Sequence, residues 1–401
     1  MTHTAQPTGH PGAGLISMLA AACGLMAANL YYAQPLAGPI GAALGMSPAM
    51  TGFVVTLTQI GYGIGLVFIV PLGDLIENRL LLISLILMSG VALLGAAFSS
   101  EATGFLAAAL LIGLTSVAAQ AVVPFAAHLA PEATRGRVVG NVISGLMLGI
   151  MLARPAASLI AGATSWHVVF ALSAVAMLGL AIALRLTLPK RHPQAGLGYG
   201  ALIASMGRLA LHTPVLQRRA AYQFFLFAAF SLFWTVTPLY LTGPAYGLDQ
   251  RGVALFALAG VAGAIASPIA GRLADAGLSR PATGGAMVLA ALSFAMTHIA
   301  GEGSWLGLGL LTAAAILLDY GATTCLVLGQ RAIFSLGHEN RSRLNGLFIA
   351  SFFVGGALGS AVGGWAYAAG GWGLASLIGG ALPLLALACF ATELTKRPKA
   401  H

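Results

Sequence analysis

The sequence predicts an all-α polytopic membrane protein of twelve transmembrane helices in two pseudo-symmetric six-helix bundles. Three observations lead there: a composition that suits lipid, twelve apolar tracts, and a chain whose second half repeats the first. Of the 401 residues, 58% are apolar and only 7% charged. Soluble domains carry roughly a quarter charged residues, so a soluble enzyme is excluded, as are disordered, collagenous and disulfide-stapled chains. The mean hydropathy of +0.91 points the same way. The 53 glycines suit membrane helices, where small residues let backbones approach closely.

A spanning helix needs about 20 mostly apolar residues. Tracts that meet this run over 14–42, 49–72, 80–99, 103–129, 138–163 and 167–187 in the first half. In the second half they run over 216–241, 252–273, 282–300, 305–335, 344–369 and 373–392. Residues 1–13 read as a disordered N-terminus and 393–401 as a polar tail. The segment 188–215 opens with Leu188-Pro189-Lys190-Arg191-His192-Pro193 and concentrates proline and charge, as a linker between the bundles 14–187 and 216–392 would.

The charges report orientation. The chain has 19 Lys+Arg against 10 Asp+Glu, a net of +9. With the N-terminus in the cytoplasm, Arg79, Arg135, Arg137, Lys190, Arg191, Arg208, Arg272, Arg280, Arg341, Arg343 and the C-terminal Lys396, Arg397 and Lys399 share one side. The opposite side receives Arg251 with Glu101, Asp249 and Glu302. The positive-inside rule then places both termini in the cytoplasm. The same asymmetry checks the number of spans, since one helix more or fewer would scatter the clusters over both sides. No basic stripe is interleaved with aromatics, so no nucleic-acid partner is expected. Cys23, Cys325 and Cys389 lie far apart in apolar tracts, which points to neither a disulfide framework nor a metal cluster.

The repeat is visible residue by residue. Gly73-Asp74-Leu75-Ile76-Glu77-Asn78-Arg79 follows span 2, and Gly271-Arg272-Leu273-Ala274-Asp275-Ala276-Gly277-Leu278-Ser279-Arg280 follows span 8. Asp74 and Asp275 are 201 positions apart, and so are Arg79 and Arg280. Arg135-Gly136-Arg137 opens span 5 and Arg341-Ser342-Arg343 opens span 11, 206 positions later. At that offset Gly140 matches Gly346, Gly149 matches Gly355 and Trp166 matches Trp372. Two six-helix units joined head to tail produce this pattern.

These motifs resemble the major facilitator superfamily over essentially the whole chain. The Gly271…Asp275…Arg280 loop resembles the superfamily's motif between the second and third helices of each half, and Gly73-Asp74…Arg79 a shortened copy. Ala28-Asn29-Leu30-Tyr31-Tyr32-Ala33-Gln34-Pro35-Leu36, Thr58-Gln59-Ile60-Gly61-Tyr62 and Gln120-Ala121-Val122-Val123-Pro124-Phe125 resemble the bacterial branch of drug/proton antiporters and sugar-efflux permeases. The resemblance implies two bundles around a central cavity and alternating access by their rocking. It also implies a conformational gate formed by Asp74, Arg79, Arg135, Arg137, Asp275, Arg280, Arg341 and Arg343. The competing reading of those loops is a set of static surface ion pairs, each worth at most about 1 kcal/mol.

With so little charge available, the charges inside the spans matter most, because each is costly in lipid. Arg154 lies well inside span 5 and Asp319 inside span 10, both in the middle half of the membrane. Each should face a cavity or a partner. We expect them to approach across the bundle interface, either as part of a substrate and proton pathway or as a permanent structural ion pair. Burial favours a protonated acid and a nearby guanidinium an ionised one, so a carboxylate whose surroundings change can load and release a proton. Two departures from the resembled antiporters bear on coupling. Ala109 stands where they carry an Arg in span 4, and in Gly145-x-x-x-Gly149-x-x-x-x-Arg154-Pro155 an Arg takes the glycine's place before proline. Either Arg154 assumes the missing role or the protein is an uncoupled facilitator.

Uncharged polar and aromatic residues at mid-span complete the candidate pathway: Asn29, Tyr32 and Gln34 on span 1, Gln59 and Tyr62 on span 2, and Gln120 on span 4. Gln223 and Trp234 on span 7 and Tyr320 on span 10 join them. In the resembled family spans 1, 4, 7 and 10 line the cavity. Taken singly, each such residue reads first as an interhelical hydrogen bond. Together they suit a small amphipathic or neutral organic solute. His338-Glu339-Asn340-Arg341-Ser342 begins like a zinc-protease helix but has Ser where the second His is needed. Without a Gly-x-Ser-Gly signature or a pair of intramembrane Asp residues intramembrane catalysis recedes, and without a nucleotide-binding motif so does ATP-driven pumping. The expectation is a monomeric secondary transporter in the bacterial inner membrane, with a small-molecule substrate, the bilayer as its other partner, no cofactor or metal, and the proton gradient as energy source. Proton-coupled efflux leads, uptake symport or facilitated diffusion follows, and a transport-dead sensor is the alternative from another class.

Overall fold

The computed structural model describes residues 12–193, 196, 198–337 and 339–394. Most of the predicted N-terminal segment and tail, and His338 of the abortive zinc motif, therefore lie outside the described residues. Every regular element among those described is a helix. Among the described residues nine helices are long and apolar enough to cross a membrane, and the pair Ala13–Ala28 and Ala33–Ala43, bent by 43°, forms a further crossing, span 1.

Spans 2 to 8 are Pro48–Asp74, Asn78–Ala97, Ala102–Leu129, Glu132–Ala163, Trp166–Thr187, Pro214–Thr242 and Gln250–Asp275. Span 9 is the shorter helix Ser279–Met296, whose opening Ser-Arg-Pro dilutes its apolarity. Span 10 is Trp305–Phe334. Spans 11 and 12 lie in one continuous assignment, Arg341–Leu394, which reverses at Gly370 and Gly371. Gly371 has φ of 61°, a left-handed conformation that glycine adopts without a Cβ clash. The reversal is visible in the packing. Gly355, Gly359 and Gly363 meet Phe224, Ala228 and Leu232 in ascending order, whereas Trp372 stacks on Tyr240 and Phe390 packs on Tyr222, in descending order. The twelve predicted crossings are thus all present.

Each half has its own apolar core. One runs from Leu19 to Leu188 and the other from Tyr222 to Phe390. A third cluster crosses the seam, joining Tyr31, Tyr62 and Ala153 to Phe227, Phe348 and Phe353. Large apolar side chains such as Val91, Leu186, Leu255 and Leu377 face outward, as lipid-facing surfaces require.

Small residues set the tightest helix pairs, and they do so in both halves. A Cβ on Gly145 or Gly149 would run into the carbonyls of Ala20 and Gly24, so spans 1 and 5 touch backbone to backbone. Gly355 and Gly359 meet the carbonyls of Phe224 and Ala228 in the same way on spans 11 and 7. Gly149 and Gly355, matched along the sequence, thus make the same kind of backbone contact in the two halves, on the carbonyls of Gly24 and Phe224.

Spans 2 and 11 run against each other, with Gly346 near the Leu66 carbonyl and Gly63 near the Ala350 carbonyl, and the tightest contacts between the halves lie near the face opposite the arginine-rich loops. There Gly52 abuts Ser360 and Gly364, and Gly162 approaches Gln250 and Arg251. On the arginine-rich side a Cβ on Gly136, Gly140 or Gly271 would meet nothing within 4 Å. The linker contains the helix Tyr199–His212 with Leu202, Ser205 and Met206 buried. It straps the halves together: the Tyr199 hydroxyl donates to the Phe68 carbonyl (2.8 Å), and Arg343 donates to Ser205 Oγ (2.7 Å).

Candidate functional site

Two spans lose regular helical geometry at mid-membrane, and both breaks border the same site. Span 1 is interrupted at residues 29–32, and span 8 tightens to a 3₁₀ stretch over Leu258–Ile265. Irregular backbone in a membrane is tolerated where it is buried in protein or lines a cavity. Next to the first break, Arg154 enters from span 5, whose helix continues through Pro155. Proline lacks the N–H that would bond the Met151 carbonyl, which loosens the helix beside the charge.

Arg154 is 4% exposed, and Asp319 is 5% exposed. The Arg154 Nε donates to Gln34 Oε1 at 2.6 Å. Its guanidinium lies over three rings, with centroids at 4.9 Å for Tyr31, 5.2 Å for Phe230 and 4.5 Å for Trp234. Asp319, on span 10, accepts the Trp234 indole N–H at 2.8 Å. Trp234 therefore takes Arg154 of one half on its face and holds Asp319 of its own half by its edge. The two charges form no ion pair within 4 Å among the described residues. The expected meeting across the bundle interface occurs through the indole. Gly260 and Gly263 of span 8 pack directly on Asp319, where a Cβ would crowd it at 3.2 and 2.9 Å.

A second polar chain crosses the seam. Gln59 Nε2 donates to Ser231 Oγ at 2.6 Å, and Ser231 and Ser360 share a hydrogen bond of 2.7 Å. Thr235 donates to Ser360 at 3.1 Å, and Thr56 donates to the Ala357 carbonyl at 3.1 Å. Tyr62 accepts from Gln120 Nε2 at 2.9 Å and lies 4.4 Å from the Phe353 ring of the other half. Several buried polar atoms have no partner among the described residues: Arg154 Nη2, Gln59 Oε1, Gln223 Oε1 and Thr324 Oγ1. Unpartnered buried polar atoms are uncommon in folded proteins and mark places where a ligand or water completes the set.

The remaining pathway candidates sit elsewhere. Asn29 is saturated inside the first half, donating to Ser89 (3.3 Å) and accepting from Ser173 (2.7 Å), so it ties spans 1, 3 and 6 together. Tyr32 packs between that core and the seam cluster. Gln223 donates to the Ala322 carbonyl at 3.3 Å, linking spans 7 and 10. Tyr320, half-buried beside Asp319, shares none of these hydrogen bonds. Tyr31, Phe230, Ser231 and Ser360 were not among the sequence candidates. The aromatic run of span 7 was the signal for Phe230, and the spacing of Ser231 and Thr235 around Trp234 was the signal for the serine chain.

The loop residues do not gather into one cluster. Asp74 forms no ion pair among the described residues. Arg79 donates to the Leu188 carbonyl (2.7 Å), while Glu77 caps span 3 and accepts the Arg191 N–H, so this loop holds the start of the linker. Asp275 pairs with Arg331 (2.6 Å), and Arg280 donates to the Glu393 carbonyl. Arg135 donates to the Ala127 carbonyl, and Arg137 lines a shallow cavity of about 280 Å³ with Ser17 and Asn141. Arg341 lies over the Phe334 ring.

Two helical bundles that share a buried, charged seam define a membrane transporter. The comparisons identify the family. Residues 16–330 match the model of the Major Facilitator Superfamily. The chain belongs to that superfamily. It is 36% identical over 373 residues to the uncharacterized transporter YgaY of Escherichia coli O157:H7, covering 93% of this chain and 94% of that one. To the probable transporter SCO4007 of Streptomyces coelicolor it is 34% identical, covering 94% and 86%. Among solved structures, the nucleoside transporter NupG superposes with a TM-score of 0.75 at 14% identity, covering 95% of this chain and 100% of that one. A bacterial homologue of the human lysosomal transporter Spinster, inward-facing and occupied, gives 0.76 at 13%, covering 96% and 97%. At such identities the likeness is one of fold. The family and the relatives are those of a transporter rather than an enzyme.

Proposed function

We propose that this protein is a proton-coupled secondary transporter that moves a small organic solute across the bacterial inner membrane by alternating access. One observation carries the reading: Arg154 and Asp319, supplied by opposite halves, converge on Trp234. Rocking of the halves pulls Arg154 away from the indole that holds Asp319, so the surroundings of the carboxylate change with the direction the cavity faces. A buried carboxylate with state-dependent neighbours is what proton coupling requires.

The arginine-rich face is assigned to the cytoplasm, with both termini there, on the sorting of Lys and Arg among the loops. The close approach of Gly52 to Ser360 and Gly364 and of Gly162 to Gln250, on the face opposite, supports an inward-facing state. The loops of Asp74, Arg79, Asp275 and Arg280 act as the conformational gate in this reading, and their partners exchange when the cytoplasmic side closes. The transporter works as a monomer and draws on the proton gradient with no bound cofactor. Proteoliposomes with imposed pH gradients, challenged with drugs, sugars and organic acids, test the proposal. A solute that moves in response to the gradient is expected, in efflux or in uptake, and Asp319→Asn is expected to uncouple it. Flux that ignores the gradient for every solute would leave a facilitator, and no flux at all a sensor.

A further inference from the structure

The unpartnered donor buried at the seam points to the kind of solute that binds there. Arg154 is a guanidinium, charged at any physiological pH, and it is buried. Its Nε is committed to Gln34, its faces are covered by Tyr31, Phe230 and Trp234, and its Nη2 has no partner. Among the described residues no carboxylate lies within ion-pair distance of it. A buried cation with a vacant N–H is costly until an anion fills it. The walls around that N–H are aromatic rings, which favour a flat apolar body and offer few groups to hydrogen-bond a polyol.

We propose, building on the transport reading above, that the solute is an organic anion with a flat apolar body, its carboxylate-like head taken by Arg154 and its body laid against Tyr31, Phe230 and Trp234. A cationic solute would have to approach the fixed charge of Arg154. A sugar would leave the rings of Tyr31, Phe230 and Trp234 without a flat apolar partner.

The same geometry sets the sign of coupling. Among the described residues, Arg154 of span 5 and Tyr31 of span 1 are the charged or titratable side chains that act on Asp319, with Arg154 lying over its indole partner and over the Tyr31 ring. Span 7 contributes the indole N–H of Trp234, and span 8 contributes glycine backbone. Span 9 meets span 10 here with Ala286 and Ala290. An ionised Asp319 competes with an incoming anion for the field of Arg154, and a protonated one does not. Proton and anion therefore bind together, and they travel in the same direction. An inward proton gradient then drives accumulation of the anion.

The test uses the full-length protein in nanodiscs and three probes of one shape: 2-naphthoate, its neutral carboxamide, and the cationic 2-naphthylmethylamine, with binding followed by calorimetry. The expected result is 2-naphthoate binding at least tenfold tighter than either analogue. That preference should disappear in Arg154→Gln and survive in part in Arg154→Lys. Over the pH range where the naphthoate stays ionised, its affinity should rise on acidification in the parent and stay flat in Asp319→Asn, a readout that a merely structural role of Asp319 would not move. The pH series on the parent keeps the test decisive if a variant fails to fold. A preference for the amide or the amine overturns the substrate class. Proton-driven flux of that other probe in proteoliposomes would leave the transport reading standing. Equal binding by parent and Arg154→Gln, or no binding of 2-naphthoate at millimolar concentration, also overturns the assignment, and affinity that falls on acidification overturns the co-binding of proton and anion.

Discussion

Replacing Trp234 by Phe separates the two services of its indole. Phe keeps an aromatic face for Arg154 and removes the N–H that reaches Asp319 at 2.8 Å. A hydrogen bond to a charged acceptor contributes about 1.5–3 kcal/mol, and a buried acceptor that loses its donor is exposed to the upper part of that range. Trp234→Leu also removes the ring 4.5 Å from the guanidinium, which adds about 0.5–2 kcal/mol. The Phe variant should therefore lower transport or its apparent affinity by about ten- to a hundredfold, and the Leu variant further. The assay is a double-mutant cycle of Trp234→Phe with Asp319→Asn, read both as proteoliposome flux and as thermal unfolding in detergent. If the indole acts through the carboxylate, the two changes are non-additive by about 1–3 kcal/mol. Strict additivity, or a Phe variant within a factor of two of the parent, would refute the idea that Trp234 joins the charges.

Other substitutions probe the frame around the site. Gly149→Ala places a methyl against the Gly24 carbonyl and should force spans 1 and 5 apart, lowering the unfolding temperature by an amount that reflects about 1–3 kcal/mol; Gly359→Ala should do the same against Ala228. Gln59→Leu cuts the polar chain between Gln59, Ser231 and Ser360 at its first bond. Such membrane hydrogen bonds average about 0.6 kcal/mol, so the balance of states should move by about threefold away from the closed seam. Cross-linking of a Thr56→Cys/Ala357→Cys pair, whose parent side chain and carbonyl are 3.1 Å apart, measures that shift and should fall in the Leu background. Asp275→Asn breaks an ion pair whose side chains are 68% and 48% exposed, and the unfolding temperature should stay within one degree or so of the parent because exposed pairs contribute at most about 1 kcal/mol.

Much of this molecule is legible without coordinates. Arg154 and Asp319 stood out because lipid makes an isolated charge conspicuous, and Gln34, Gln59 and Trp234 because polar groups at mid-span need a reason. What each does there was not legible. Asn29 and Gln34 are five residues apart on one span, yet the first is satisfied inside its own half and the second holds Arg154. The break in span 1 between them changes the direction each side chain takes, and no periodicity continues across it. Arg79 and Asp74 share a motif without sharing a contact, because the Leu188 carbonyl, far along the chain, lies within reach of the guanidinium. The linker helix escaped notice since its charges and flanking prolines outweigh the few buried positions that define it.

The sequence by itself determined the solvent, the number of crossings, the sidedness of the charge and the doubling of the six-helix unit. All of these follow from local hydropathy and from the order of charges along the chain. Only the tertiary structure decided that the two intramembrane charges meet on one indole, that Gln59 ties span 2 to span 7, and that Arg154 keeps one donor vacant. Those facts join residues 80 to 172 positions apart, or record what a side chain lacks. They depend on how each helix is rotated and how closely glycines let it approach its neighbour, and hydropathy is blind to both.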